Sequence, residues 1–315
     1  MAGSEVGADL WLKEYITPWD VYEHGVSEIL VHQKTPYQEM YIIETGAYGK
    51  ALVLDGKWQS CTGDEFLYHE SLVQPACIAH RAPKTALILG GGEGATAREI
   101  LRWRSIEQVV MVDLDGAVVD ACKQHLSEMH GQAFDDPRLE VVIGDALDYV
   151  AACSQTWDII ISDLSDPIEE GPAFQLFTQE FFGQLKALLA PQGYCVIQAG
   201  SVAVGEITLH ARLINTLRTV FADVVSYNCA IPTFAVPWGF ALCAEHKIET
   251  RPNPEQIDRL LAEQTTGGLQ LIDGVTLLGL LQTPKFVHQA IATHKQIYTL
   301  ADPPKFFGKG IVEPT

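Results

Sequence analysis

Two carboxylates, Asp163 and Asp166, stand three residues apart directly after the apolar run Ile159-Ile160-Ile161. Such a run reads as a buried parallel strand. In an open α/β sheet, ligands bind outside the carboxyl ends of the strands. The pair is therefore expected at the mouth of a binding crevice, where two acids suit a cationic ligand. Upstream, Gly90-Gly91-Gly92-Glu93-Gly94 joins a second apolar run to a helix-like stretch. Glycines there permit a tight turn and close approach of backbone to ligand. Ala95, Thr96 and Ala97 come next, so the spacing is not GxGxxG, and there is no Lys-Ser/Thr as in a phosphate loop. An acid inside the loop disfavours pyrophosphate and suits positive charge.

Asp113 ends the next apolar run, about 20 residues past the loop, where a ribose-binding carboxylate belongs. Asp115 lies two residues on, and of the two Asp113 is the expected ribose ligand. Gly144-Asp145-Ala146 ends a third run. Asp145 can accept from an adenine amino group or cap the following helix. Glu93, Asp113, Asp145 and Asp163 thus sit at four strand ends in series, a pattern hard to assign to helix capping alone.

Periodicity gives the frame around these acids. Short apolar runs at 27–32, 39–43 and 51–54, separated by Gly46, Gly49 and Asp55-Gly56, predict a small antiparallel N-terminal sheet. A connecting helix is expected over 63–80, carrying Tyr68, His69 and Glu70. From Lys84 strands and helices alternate, with strands at 85–89, 109–112, 139–143, 157–161 and 193–197. That alternation predicts a doubly wound parallel sheet. Runs at 223–230 and 238–244 have no helix between them, so the last strand is expected to run antiparallel. The expected fold class is α/β, a methyltransferase-like Rossmann-type sheet with a small N-terminal antiparallel β domain. The expected division is 1–75 and 76–315, with a C-terminal extension from 251 that the pattern does not resolve.

Composition narrows the partners. The 315 residues are 47% hydrophobic and 19% charged, with a formal net charge of −19. That balance argues against nucleic acid, since phosphate contacts need Lys/Arg patches. Seven scattered cysteines without a CxxC pair imply a reducing cytoplasm rather than a disulfide framework. No apolar run approaches the length of a membrane span, and residues 1–9 lack a signal-peptide pattern. The histidines show no metal-ligand spacing, so no metal is expected.

With these residues in hand, the chain resembles the polyamine aminopropyltransferases, the spermidine, spermine and thermospermine synthases. The resemblance runs from about Trp11 to Ala244. It includes Pro36-Tyr37-Gln38, Leu54-Asp55-Gly56, Asp64-Glu65-Phe66-Leu67-Tyr68-His69-Glu70, the glycine loop, Gly144-Asp145-Ala146, Asp163-Leu164-Ser165-Asp166-Pro167, Gly171-Pro172-Ala173 and Gln198. It implies transfer of an aminopropyl group from decarboxylated S-adenosylmethionine, a co-substrate rather than a cofactor, to a di- or triamine, with release of methylthioadenosine. By position, Asp163 resembles the catalytic acid, Asp166 an acceptor-amine ligand, and Tyr68 a group orienting the attacking amine. Gly90, Gly92 and Glu93 would meet the donor, Glu93 standing where the family has Asp. Asp113 would hold ribose, and Asp145 with Ala146 the adenine, flanked by Pro172 and Ala173. Gln38 and His69 would line the donor site; Trp11, Gln198 and Phe234 the acceptor side. The resemblance also implies a homodimer, as do N-terminal sheet edges that need cover.

Three departures concern the acceptor. The segment Asp166-Pro167-Ile168-Glu169-Glu170-Gly171-Pro172 is longer than spermidine synthases have. Phe234 replaces a frequent Tyr, and Gln198-Ala199-Gly200 replaces Gln-Gly-Glu. These look more like thermospermine synthases, while spermidine formation from putrescine stays open. Glu169 or Glu170 could meet a longer amine or be solvated loop acids. Two rivals share the pattern. A methyltransferase would use S-adenosylmethionine itself, whose carboxylate Glu93 and Asp163 would repel. A non-catalytic polyamine-binding protein could dispense with Asp163 or Tyr68.

Overall fold

A computed structural model describes residues 7–8, 10–167, 172–305 and 309–314. The N-terminal layer is built from β1 (Leu10–Thr17), β2 (Asp20–Lys34), β3 (Glu39–Thr45), β4 (Gly49–Leu54) and β5 (Lys57–Cys61). All neighbouring pairs are antiparallel. The β4–β5 hairpin turns through Asp55 (φ 50°) and Gly56 (φ 71°). Two consecutive positive φ angles are what a type I′ turn requires, and Asp-Gly supplies them. Inward residues Leu12, Val26, Met40, Ile42, Leu52 and Trp58 form one core with Val118, Cys122 and Met129 of the second layer.

The chain then enters α1 (Glu65–His80), which runs on past residue 75, and packs on the second sheet rather than on the first. Its buried Leu72, Val73, Ala76 and Cys77 join the core beneath that sheet. The sheet is laid down by β6 (Thr85–Gly90), α2 (Ala95–Leu101), β7 (Gln108–Asp113), α3 (Gly116–His125), α4 (Ser127–His130), β8 (Leu139–Ile143), α5 (Ala146–Ala152), β9 (Trp157–Asp163), α6 (Gln179–Ala187), β10 (Leu189–Ser201), α7 (Thr208–Arg218), β11 (Asp223–Ala230) and β12 (Pro237–Ala244). Strand order is β11-β12-β10-β9-β6-β7-β8. The five strands from β10 to β8 are parallel, and β12 is antiparallel to both its neighbours, as the missing crossover helix requires. The order of strands reverses between β6 and β9, which defines the crevice where open α/β sheets hold ligands.

The C-terminal extension has defined work. α8 (Pro254–Gln264) and α9 (Gly274–Leu280) pack together, α8 meeting α1, while α10 (Lys285–Thr293) packs on α7. The buried Glu70 carboxylate accepts backbone N–H bonds from Gln270, Leu271 and Ile272 at 2.6, 2.9 and 2.9 Å, anchoring this tail to α1. Finally β13 (Lys309–Pro314) returns to pair antiparallel with β1. The edge of β1 that needed cover is therefore covered from within the chain, and β13 becomes the outer strand of a sheet ordered β13-β1-β2-β3-β4-β5.

Candidate active site

The carboxyl ends of β8, β7, β6, β9 and β10 lie side by side, so the segments leaving these strands form one row. Neighbouring strands are spaced about 4.8 Å, so the row spans roughly 20 Å. Asp145, Asp113, the glycine loop with Glu93, Asp163 with Asp166, and Gln198 occupy it in that order. Above it the N-terminal layer closes a cavity of about 290 Å³.

Registry explains the loop. Gly90 pairs with Asp163 across β6 and β9. Gly90 has φ +83°, and a Cβ there would lie 2.1 Å from the Asp163 carbonyl oxygen. Only glycine lets the two strand ends approach this closely. At Gly92 a Cβ would sit 2.7 Å from Asp113 Oδ2, so that glycine leaves the ribose-candidate carboxylate room.

At the centre, Tyr68 Oη donates to Asp163 Oδ1 at 2.7 Å and Thr96 Oγ1 donates to Asp163 Oδ2 at 2.6 Å. Burial, then the nearby Glu93 charge, raise the Asp163 acid above its ordinary range, against the pull of His69 and these two hydroxyls. Beside it, His69 lies behind the cavity wall. Its Nδ1 donates to Glu65 Oε2 and its Nε2 to Glu93 Oε1, both at 2.8 Å. Burial alone would lower the imidazolium pKa, but the two carboxylates raise it to about 10. His69 is thus an imidazolium with both nitrogens occupied. Glu65, despite burial, is drawn down to about 2 by His69 and Arg98. Arg98 reaches both Glu65 oxygens at 2.8 and 2.9 Å. Ligand atoms of His69, Glu93 and Asp163 lie within 4.8 Å of one another. Both ring nitrogens of His69 are already engaged there by Glu65 and Glu93.

Asp113 and Asp115 divide their work. Asp115 is buried; Oδ1 caps α3 by accepting from Ala117 N at 3.1 Å, and Oδ2 accepts from Thr35 Oγ1 at 2.6 Å and Gln38 Nε2 at 3.1 Å. Asp113 lines the cavity, accepts the Asp115 N–H at 2.9 Å, and is raised to about 6, chiefly by burial. Asp145 lines the cavity and caps α5 by accepting from Leu147 N at 2.8 Å.

Toward β10, burial raises Asp166 to about 6. Gln198 organises this end, donating to Leu164 O at 2.8 Å and Asp166 Oδ1 at 3.1 Å. Its Oε1 accepts from Gly200 N and Trp238 Nε1, each at 3.1 Å. Phe234 lines the wall, 5.8 Å from the Tyr68 ring and 4.9 Å from Trp238. Gln38, Gly90, Gly92, Ala146 and Ala173 also line the cavity.

Trp11 does not line it. Side chains alternate along a strand, and on β1 the cavity side belongs to Glu14 and Ile16, while the Trp11 ring lies beside Gly25 of β2. Pro172 opens a 3-10 turn, Pro172–Phe177, but its side chain, like Glu169 and Glu170, is outside the described residues. Sequence reasoning missed Thr96, Glu14, Lys57, Trp238 and Glu206. Glu206 comes after a strand that had been recognised, so the strand-end rule could have found it. Nothing local marks Glu14 or Lys57, which reach the cavity from the other layer.

The fold and the row of acids define a nucleoside-site transferase for cationic substrates. Comparison with known proteins narrows that class. Residues 65–252 match the family model described as spermine/spermidine synthase domain, and residues 10–61 match the spermidine synthase tetramerisation domain. A polyamine aminopropyltransferase from Synechococcus sp. (strain JA-2-3B'a(2-13)) is 56% identical over 302 residues, covering 94% of this chain and 97% of that protein. The thermospermine synthase ACAULIS5 of Arabidopsis thaliana is 35% identical, covering 96% of this chain and 88% of that protein. The crystal structure of spermidine synthase from Thermotoga maritima superposes with a TM-score of 0.81 at 26% identity, covering 90% of this chain and 94% of that one. A spermidine synthase in complex with the transition-state analogue AdoDATO gives 0.83, also at 26% identity, covering 90% and 95%. The chain belongs to the spermine/spermidine synthase family. It is an aminopropyltransferase of polyamine biosynthesis, using decarboxylated S-adenosylmethionine as co-substrate.

Proposed function

We propose that Asp163 takes the proton from the acceptor amine while Asp113, Asp145 and Glu93 hold the donor and Asp166 holds the acceptor. The observation that carries this reading is Asp163 itself, gripped by Tyr68 and Thr96 at the centre of the acid row. The ribose hydroxyls meet Asp113, and the adenine amino group meets Asp145 beside Ala146, with Pro172 and Ala173 at its flank. Gln38 closes that end, and His69 acts through Glu93 by fixing its carboxylate. The sulfonium and the donor's terminal ammonium lie over Gly90, Gly92, Glu93 and Asp163, where neither is buried without an opposing charge.

Alkyl amines are protonated near neutrality, like Lys, so the attacking nitrogen must lose a proton before its lone pair is free. A carboxylate raised by burial is a better base than a solvated one. The nitrogen then attacks the carbon beside sulfur; the C–N bond forms as the C–S bond breaks, and its electron pair leaves on sulfur as neutral methylthioadenosine. Tyr68 orients Asp163, and the walls made by Phe234, Trp238 and Gln198 keep nitrogen, carbon and sulfur in line. Because S-adenosylmethionine keeps a carboxylate that Glu93 and Asp163 repel, the decarboxylated donor is selected over the methyl donor.

Asp163→Asn keeps the shape and removes the base. Turnover is expected to fall about 10²- to 10⁴-fold, with methylthioadenosine affinity by calorimetry within about twofold of the parent. Equal turnover in the two proteins would take Asp163 out of the proton transfer. Association of copies through the N-terminal layer is supported by the match of residues 10–61. We take the homodimer as its smallest unit, and sedimentation equilibrium counts the chains. No helix among the described residues is long and apolar enough to cross a membrane, and all seven cysteines are free. Those thiols support the cytoplasm as the working compartment.

A further inference from the structure

We propose that Glu206 binds the far ammonium of the acceptor and so selects a triamine over a diamine, an inference that rests on aminopropyl transfer with Asp163 as base and Asp166 as acceptor ligand. Glu206 lies in the link between β10 and α7, held by its backbone N–H donating to Ala203 O at 3.0 Å. It lines the same cavity as Asp166, one step beyond it in the row. Burial is the first cause raising its acid, and Asp166 and Asp20 raise it further, against Ser201 and Lys57. Among the described residues it has no cationic ion-pair partner.

Lys57, the lysine that lines this end, is already committed. Its Nζ donates to Glu14 Oε1 and to Tyr15 O, both at 3.1 Å, while Glu14 Oε2 accepts from Trp58 N at 3.0 Å. Glu14 and Lys57 therefore cancel. Asp166 and Glu206 remain as two partly buried carboxylates that line the cavity without an ion-pair partner among the described residues. During transfer the attacking nitrogen is neutral. A diamine then brings one ammonium, which satisfies Asp166 and leaves Glu206 unpaired. A triamine brings two. Once the acceptor fills the cavity and displaces its water, leaving the Glu206 charge unpaired is costly, so the mismatch discriminates against the shorter amine.

The test measures methylthioadenosine release at saturating donor with putrescine and, separately, spermidine. The parent enzyme is expected to show the higher kcat/KM with spermidine. In Glu206→Gln the spermidine-to-putrescine ratio of kcat/KM is expected to fall about 10- to 100-fold, the range for losing a charged hydrogen bond. Glu206→Asp, which keeps the charge, is expected to recover most of that ratio. A ratio unchanged in Glu206→Gln, or a parent enzyme favouring putrescine, overturns the role of Glu206 while leaving aminopropyl transfer intact. Release with neither amine overturns the transfer roles themselves, and this inference with them.

Discussion

Asp113 and Asp115 are two residues apart and do unlike work. The sequence rule that places a ribose acid at the end of the second strand pointed to Asp113, and Asp113 is the one that lines the cavity. Asp115 caps α3 and grips Thr35 and Gln38, a role visible only once the two layers are assembled. Asp113→Ala is expected to weaken methylthioadenosine binding at pH 7.5 by about 1–3 kcal/mol, the worth of a charged acceptor. Calorimetry with an unaltered Kd would reject the ribose assignment. His69 was hidden in the same way. A lone histidine in a helix gives no sign of its partners, yet here Glu65 four residues earlier and Glu93 from another element make it an imidazolium. Glu14 and Lys57 were illegible for the same reason: their neighbours come from distant sequence.

At the scale of elements, the strand ends were readable because a strand buried on both faces is a continuous apolar run, and its polar terminus stands out. β6, β7 and β9 obey that rule; β8, the outer strand with exposed Glu140 and Ile143, was marked instead by the Gly144-Asp145-Ala146 that follows it. The apolar runs marked β2, β3 and β4 but not β1 or β5, and β2 begins earlier than its run, since strands covered on one face alternate and carry Lys13, Glu14, Glu23 and His24. β13 has no local signature at all; its register comes from β1. The glycine loop joins element to chemistry. Gly90→Ala puts a Cβ against the Asp163 carbonyl at a positive φ. It is expected to destabilise the protein by about 1–3 kcal/mol, the cost of a non-glycine residue held in such a conformation. It should also lower kcat, because Asp163 must shift. Urea unfolding and steady-state rates on one preparation check both, and a variant with the parent's stability would show that the strand ends yield without cost.

At the scale of the whole molecule, activity and stability are expected to answer pH in opposite directions. Asp113 and Asp166 titrate near 6, above the ordinary 3.8, because burial opposes their charge. Below about pH 6 both lose the charge that attracts cationic substrates, so kcat/KM falls on the acid side. The same raised values mean that the folded chain binds more protons than the unfolded one between 3.8 and 6, so these two groups favour folding as pH drops through that window. His69 has a folded value near 10 against an ordinary 6.5. Its contribution is fully present below 6.5 and lost as pH rises through 10. Glu65 runs the other way, contributing above 4.5 and losing that as pH falls through about 2. The ligand-free thermal midpoint is therefore expected to decline from pH 6 to 9.5 while kcat/KM rises from pH 5 to 7. A midpoint that climbs over the alkaline range would contradict the imidazolium assignment. The pairing of β1 with β13 sets an order of events during synthesis. β1 leaves the ribosome long before its outer partner, with the whole catalytic layer made in between. Through that interval β1 is bonded on one side by β2 and presents a bare row of amides on the other, an invitation to a neighbouring nascent chain. Only when residues 309–314 emerge does the molecule close its own seam, so a polysome carrying many copies stays prone to cross-pairing until that segment is out.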